Sequence, residues 1–538
     1  MSRPAFVVGL GVIVVAALAL RLAGTEWGKP YAYHFDEPFV VKPALRIVDS
    51  GDPNPHFFRY PSLMIYVEAA IAAGNHVISG MPLAVPEGPA YGPSDLGTWT
   101  WPALAGGRHA VAVLGTAAIV LAAIVAFATG GAMAALLAAL LLAVLPLHVE
   151  HSHYLTTDVP AATFLLGSFA CLARVRIGMR AAAWAGVAAG LAIATKYTMA
   201  TALPALALLC ALRADPSVRA KAKSVAILLG ACGAAFLLAC PYALLDWHTF
   251  IAEINVVREH YGGGHLGAEG AGNWSWYVQR LRDEGLGDAG LILLAVGAAG
   301  AVYDLVRAHV AASPPNGGEM ENDAARTLPA RTASQFIAVL LVLTLGWFLW
   351  LGGVTVRFER NLMPIVVLAC PVAGHGLARL LDALARRSAV LRGIGIAAIA
   401  LVGIGPARIS GGIARRLSSV DTRAQALAWI EANVPVGSHI VREEYTPQPD
   451  ANRYEVEYLW SLGFQEPRDY RRSGVDYVVA SQAVYARFLN DPARRYPDIV
   501  DRYQRIFRLP RAAAFVPDAQ ATGPAVTIYR VARGRRAR

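Results

Sequence analysis

The sequence predicts a mainly α, polytopic membrane bundle of about eleven transmembrane helices with a small C-terminal α/β domain outside the membrane. Three observations carry this expectation. The 538 residues are 56% hydrophobic and 16% charged, and the mean hydropathy of +0.43 exceeds that of soluble globular chains. Apolar stretches approaching bilayer-crossing length recur between residues 5 and 409. After residue 410 the composition changes, and strand-like runs and amphipathic helical spacing take over.

The spans read at 5–22, 107–128, 131–148, 159–175, 181–196, 198–212, 224–244, 288–309, 335–351, 362–381 and 391–409. Three basic clusters fall on one side under this order: Arg174, Arg176 and Arg180; Arg213, Arg219, Lys221 and Lys223; Arg386, Arg387 and Arg392. The positive-inside tendency makes that side cytoplasmic, together with the N-terminus. The loops 23–106, 148–158, 245–287 and 352–361 and the tail then lie outside, so an integral protein of the cell (inner) membrane with an extracytoplasmic working face is expected. The first span has Arg3 ahead of it, Arg21 at its close and no clear small-x-small cleavage site, and it reads as an uncleaved anchor. The net charge of +10 is explained by short loops and membrane-surface attraction, so no nucleic-acid partner is expected. Cys171, Cys210, Cys232, Cys240 and Cys370 all fall in spans, which suggests no disulfide framework and no Cys-based zinc site.

The membrane module is assigned to 1–410 and the soluble domain to 411–538. Within the long loop 23–106, Ser62 to Ile78 is apolar enough to lie along the membrane surface as a helix. The stretch 245–287 holds Trp247, Trp274, Trp276 and Tyr277 beside Tyr261-Gly262-Gly263-Gly264-His265. It reads either as an interfacial aromatic belt or as a loop hinged at its glycines. Residues 311–334 read as a disordered linker. In the tail, helices are expected at Asp421–Asn433 and Gln482–Leu489, and strands at His439–Arg442, Val475–Ala480 and Ala525–Val531.

The chemistry concentrates in the outer loops. His34-Phe35-Asp36-Glu37 sets two carboxylates a dozen residues after the first span, and His151 to Asp158 places another acid at the head of a span. Each has a plain structural reading: a turn before Pro38 for Asp36, and a helix N-terminal acid for Asp158. Lys196 closes a span on the outer side, where a lysine also snorkels. Arg357 and Arg360 stand in a short outer loop against the positive-inside tendency, with Glu359 between them as a possible partner.

The order of these segments, with Arg59-Tyr60-Pro61-Ser62-Leu63, Gly190 to Tyr197, and Arg357-Phe358-Glu359-Arg360-Asn361-Leu362-Met363-Pro364, resembles the GT-C glycosyltransferases, in particular the protein-mannosyltransferase and aminoarabinose-transferase-like group. The resemblance covers most of the membrane region. It implies an inverting transferase that moves a sugar from a polyprenyl-phosphate donor to a lipid, glycan or protein acceptor. Asp36 matches the catalytic base, with Glu37 and Asp158 as companion acids, and Arg59, Lys196, Arg357 and Arg360 are the implied donor-phosphate ligands. His34, His151, His153, Tyr154 and Tyr197 are the implied substrate contacts. The chemistry is consistent: a carboxylate accepts the acceptor's proton, and cations stabilise the departing phosphate. His151 and His153, two apart, suit no standard zinc signature, and a divalent metal between them, Asp36 and Asp158 stays an open alternative. A transporter or flippase of lipid-linked substrates is the rival class. It predicts mid-span charges and paired broken helices, whereas the distinctive charges here lie in outer loops and no internal repeat is visible.

Overall fold

The computed structural model describes residues 2–80, 83, 101–174, 176–263, 266, 273–311, 320–491, 493–518 and 520–531. Gly264, His265 and residues 312–319 of the expected linker lie outside these. The first part of the chain forms α1 (Arg3–Leu22), α2 (Pro38–Ser50), α3 (Leu63–Ser79), α4 (Trp101–Ala143), α5 (Pro146–His151), α6 (Asp158–Leu172), α7 (Met179–Ile193), α8 (Leu203–Arg213), α9 (Val218–Ala239), α10 (Tyr242–Leu245) and α11 (Trp247–Gly263). The membrane region then continues through α12 (Trp274–Arg280), α13 (Gly287–Ala311), α14 (Met320–Gly353), α15 (Met363–Arg387) and α16 (Ala389–Leu417).

Seven of these helices are long and apolar enough to cross a membrane unaided. α4 is two helices joined at Gly131, whose φ of 73° breaks the helical path. Its two limbs, with the shorter apolar helices α6, α7 and the segment Tyr197–Arg213, account for the eleven spans read from the sequence. α3 forms where a membrane-surface helix is expected, and its end leaves Val77 and Ile78 exposed. Residues 320–334, expected in a disordered linker, are helical: they carry Ala, Glu, Arg and Leu, and the adjoining span lets helix propagate into them without a new nucleus.

α15 is the hub, buried from Met363 to Ala378 and packed against α4, α13, α14 and α16. Small residues set the closest approaches. A Cβ at Gly297 of α13 would lie 2.5 Å from the Ala373 Cα of α15, so these two helices touch backbone to backbone. The five cysteines are free, and four are buried.

The C-terminal region forms β1 (Val420–Asp421), α17 (Thr422–Asn433), β2 (His439–Glu443), β3 (Glu455–Leu459), α18 (Pro467–Arg472), β4 (Tyr477–Ser481), α19 (Gln482–Leu489), α20 (Pro497–Ile506), β5 (Arg511–Phe515), β6 (Ala521–Thr522) and β7 (Val526–Arg530). The main sheet has the order β3-β2-β4-β7-β5, with β3, β2 and β4 parallel and β7 antiparallel to β4 and β5. Alternation along the strands fills both faces: Val441 and Val478 join Phe488 and Tyr503 on one side, while Ile440 and Val479 join Ala426 and Ile430 on the other. The two expected helices, as α17 and α19, and the three expected strands are all present; β1, β3, β5, β6, α18 and α20 are additional.

The C-terminal region is fastened to one end of the bundle through β1 and the start of α17. Trp27 Nε1 donates to Asp421 at 3.1 Å, Arg423 grips the same carboxylate through two bonds of 2.8 Å, and its Nη1 donates to the Tyr33 carbonyl at 3.1 Å. The Arg423 guanidinium also lies over the Tyr33 ring at 4.1 Å.

Candidate active site

Four chain segments far apart in sequence deliver their charged residues to that end of the bundle. Asp36 lies in the turn before α2, whose first residue, Pro38, is preorganised for a helix start. Asp158 opens α6, Lys196 follows α7, and Arg360 sits on a single 3-10 turn, Glu359–Leu362, ahead of α15. Helix boundaries thus place each charge where the apolar spans end.

Together they form an alternating network. Arg360 Nη1 meets Asp36 Oδ2 at 2.7 Å, and its Nε is 4.0 Å from Asp158 Oδ2. Lys196 Nζ binds Asp158 Oδ1 at 2.5 Å and reaches Asn361 Oδ1 at 3.4 Å. Tyr60 donates its hydroxyl to Asp36 Oδ1 at 2.9 Å, and the Asp36 N–H donates to His34 Nδ1 at 3.2 Å. Burial works to raise the Asp36 carboxyl, but Arg360, His34 and the Tyr60 hydroxyl outweigh it and hold the group below the usual carboxylate range. Asp36 is therefore ionised at neutral pH. His34 titrates below an ordinary histidine because burial outweighs the nearby carboxylates.

The network lies on a cavity of about 960 Å³. Asp36, Asp158, Arg59, Lys196, Arg357, Arg360, His34 and Tyr197 all line it. Arg59 Nε is held by Glu253 at 3.1 Å, Arg357 Nε by Asn273 at 2.6 Å, and the Tyr197 hydroxyl donates to the Phe58 carbonyl at 3.0 Å. Among the lining residues are seven Lys or Arg against three Asp or Glu, interleaved with Phe35, Phe39, Phe57, Val256, Val257 and Trp276. A cationic, aromatic-walled cavity at the end of a membrane bundle suits an anionic group carried on an apolar chain.

Glu37, His151, His153 and Tyr154 are not on the cavity wall. Glu37 is fully buried and held by Arg108 in a two-point ion pair of 2.7 and 2.7 Å, with a third bond of 3.0 Å from the Leu155 N–H. The two ring nitrogens of His153 face the Val149 and Ala23 carbonyls at 2.7 and 2.9 Å, tying the segment after α5 to the end of α1. Tyr154 stacks near His34, centroids 4.5 Å apart, and His151 meets Tyr154 edge-on at 6.0 Å. Tyr154 thus lies behind the wall residue His34, with His151 against it.

The carboxylate pair does not fit a divalent-metal site. Asp36 and Asp158 are already neutralised by Arg360 and Lys196 at 2.7 and 2.5 Å. Among the described residues no three His, Cys, Asp or Glu side chains converge as a ligand set.

Some wall residues carry no signal in the sequence. Arg280, Arg423, Arg487, His260 and Trp460 reach the cavity from helices and strand ends remote from the quoted motifs; Tyr445 joins them from the tail, where with Glu443 and Glu444 it reads in the sequence either as a surface residue or as an acceptor contact. Tyr60 stood inside the Arg59-Tyr60-Pro61 run, and a phenol beside a cavity-lining arginine was the one available hint.

Known proteins agree with this architecture. The family model for dolichyl-phosphate-mannose-protein mannosyltransferase matches residues 104–244. The apo oligosaccharyltransferase of Archaeoglobus fulgidus has a TM-score of 0.55 at 13% identity, over 93% of this chain and 72% of that one. ArnT from Cupriavidus metallidurans bound to undecaprenyl phosphate has a TM-score of 0.51 at 14% identity, over 98% of both chains. The oligosaccharyltransferase AglB from Archaeoglobus fulgidus, solved with an inhibitory peptide and a dolichol-phosphate, gives 0.51 at 12% identity, over 89% of this chain and 70% of that one. No curated protein sequence is significantly similar to the chain. The chain is thus a polytopic membrane protein of the GT-C glycosyltransferase fold, with a C-terminal sheet-containing region. The match to the mannosyltransferase family model runs from α4 to α10.

Proposed function

We propose that this protein is an inverting glycosyltransferase of the cell membrane, which moves a sugar from a polyprenyl-phosphate donor to a lipid, glycan or protein acceptor on the extracytoplasmic side. The observation that carries the reading is the cavity in which Asp36, Asp158, Lys196 and Arg360 form one charge network among aromatic walls. The basic clusters on the opposite side of the span order support the orientation.

In the reaction, the acceptor hydroxyl oxygen attacks the anomeric carbon from the face opposite the phosphate. A new carbon–oxygen bond forms, the bond from that carbon to the phosphate oxygen breaks, and configuration inverts. Asp36 takes the hydroxyl proton. The polyprenyl phosphate leaves with its charge stabilised by Lys196, Arg59, Arg357 and Arg360. Arg360 has a double role. Before donor binding it neutralises Asp36 and Asp158; a donor phosphate competes for its guanidinium and relieves the hold on Asp36. Asp36 then becomes more basic when a donor is present. Glu37 contributes indirectly, by fixing the turn that carries Asp36.

The test is transfer by the purified protein in vesicles, using a panel of radiolabelled polyprenyl-phosphate hexoses and pentoses with extracted membrane acceptors. Label is expected to leave the lipid phosphate with inverted configuration for wild type and not for Asp36→Asn. Full transfer by a folded Asp36→Asn variant overturns the assignment of the base, and a wild type inert toward every donor overturns the transferase reading.

A further inference from the structure

The cavity wall opposite the bundle is made by the C-terminal sheet, and it is built in a recognisable way. The strand order reverses around β2: the chain runs from β2 outward to β3, then crosses back to β4 on the other side. At such a reversal the connections leave adjacent strand ends in opposite directions and open a crevice at the carboxyl ends, where open α/β sheets hold ligands. Here that crevice gives onto the cavity. Tyr445 follows β2, Trp460 follows β3, and Ala483 and Arg487 lie on α19 after β4, and all four line the cavity with Asp36.

The rings at this edge are held rigidly. Tyr445 has a φ of +58°, a left-handed conformation that is unfavourable for a tyrosine and persists only where its surroundings enforce it. Arg487 Nη2 donates to the Tyr445 hydroxyl at 3.1 Å, and the guanidinium lies 5.4 and 5.5 Å from the Tyr445 and Trp460 rings. Trp460 is stacked on Phe464 at 5.8 Å and meets Phe488 edge-on at 6.0 Å. Beneath them, buried Glu443 binds the strand ends together, accepting from the Leu462 and Ser481 N–H groups at 2.9 and 2.6 Å. The Tyr445 ring is 6.3 Å from that of Phe35, the neighbour of Asp36 in the chain.

We propose that this strand-end crevice is the acceptor subsite and that the acceptor it takes is a saccharide, a proposal that rests on the transferase reading and adds the acceptor class. Aromatic faces carry partial negative charge and attract the polarised C–H groups on one face of a sugar ring. The Arg487 guanidinium, coplanar donors on a fixed fork, serves ring hydroxyls at the edge of the platform. Two rigid aromatic anchors cost little conformational freedom on binding. A sugar stacked on Tyr445 presents its hydroxyl toward the Phe35-Asp36 turn.

The experiment uses the full-length protein in vesicles, the donor on which wild type is active, and a whole-membrane extract, glycolipids and proteins together, as acceptor. Tyr445→Ala and Trp460→Ala are expected to raise the acceptor KM tenfold or more while the donor KM stays within twofold, with Tyr445→Phe and Trp460→Phe restoring the acceptor KM. Label is expected in a glycosidase-sensitive, protease-resistant product. An unchanged acceptor KM, or donor and acceptor KM rising together, overturns the subsite. A protease-sensitive product overturns the saccharide assignment in favour of a polypeptide acceptor. A wild type that consumes no donor is a failure of the transferase reading itself, and is recognised before any variant is compared.

Discussion

Asp36 stands on the wall of an open cavity, shared between Arg360 and Tyr60, whereas Glu37, the next residue, is sealed against Arg108 with no exposed surface. The two carboxylates leave the same turn before α2 toward different partners. One pair lines the cavity, with its arginine partly exposed, and its cation also approaches Asp158 at 4.0 Å; the other is closed, with Arg108 further donating to the Thr25 and Trp27 carbonyls at 2.9 and 2.6 Å. An open, shared cation can be exchanged when an anionic ligand arrives. A closed, two-point pair with every bond satisfied fixes backbone instead. Charge pairing alone does not mark a reactive group; the accessibility and sharing of the partner do.

The contrast makes separable predictions. Asp36→Asn should lower transfer by about 10²–10⁴-fold, the usual worth of a positioned proton acceptor, with thermal unfolding in detergent little changed. Glu37→Ala should do the reverse in kind, destabilising the protein by about 3–5 kcal/mol because the Arg108 charge is left buried and unpaired. Differential scanning of the two variants side by side checks both; a stable Glu37→Ala protein would erase the distinction.

Arg360→Met probes the shared cation. With the guanidinium gone, donor kcat/KM should fall by about 10- to 100-fold, from the ~1.5–3 kcal/mol of a charged hydrogen bond. The sign of the pH effect is fixed by the pairing. Asp36 accepts a proton only when ionised, so activity is lost as pH falls through its lowered pKa. Removing Arg360 raises that pKa and should move the acid limb of the kcat/KM profile to higher pH. An acid limb that stays in place would mean that Arg360 does not govern Asp36.

A smaller effect is expected in the C-terminal sheet. Burial pushes the Glu443 carboxyl up to about 8, outweighing its bonds from Tyr503, Leu462 and Ser481. The folded state then holds this proton more tightly than the unfolded chain does. The stability it contributes is complete below the ordinary carboxylate pKa and is lost as pH rises from there through about 8. The melting temperature should decline over that window, and Glu443→Gln should flatten the decline.

Much of the membrane region was legible because its signals are local. Apolar length set the spans, and the charges at span ends marked where helices break or begin. Lys196, Arg357 and Arg360 were readable as cations at telling places in the topology, Arg59 only through the family resemblance, and all four line the cavity. The partners were not readable. Arg108 lies 71 residues from Glu37, Asp421 lies 394 from Trp27, and Arg487 approaches the cavity only because β2, β3 and β4 end beside one another.

The amino-acid sequence by itself determined that this is a membrane helical bundle with an α/β tail and that its unusual charges cluster in loops on one side. Hydrophobic length and periodicity are properties of neighbouring residues, and neighbouring residues suffice to specify them. The tertiary structure decided which of two adjacent carboxylates opens onto the cavity, which cation each one binds, and that the tail supplies the opposite wall. Those outcomes depend on long-range packing of α1, α4, α6 and α15 with the sheet, where the cost of burying a charge is repaid only by a partner from elsewhere in the chain.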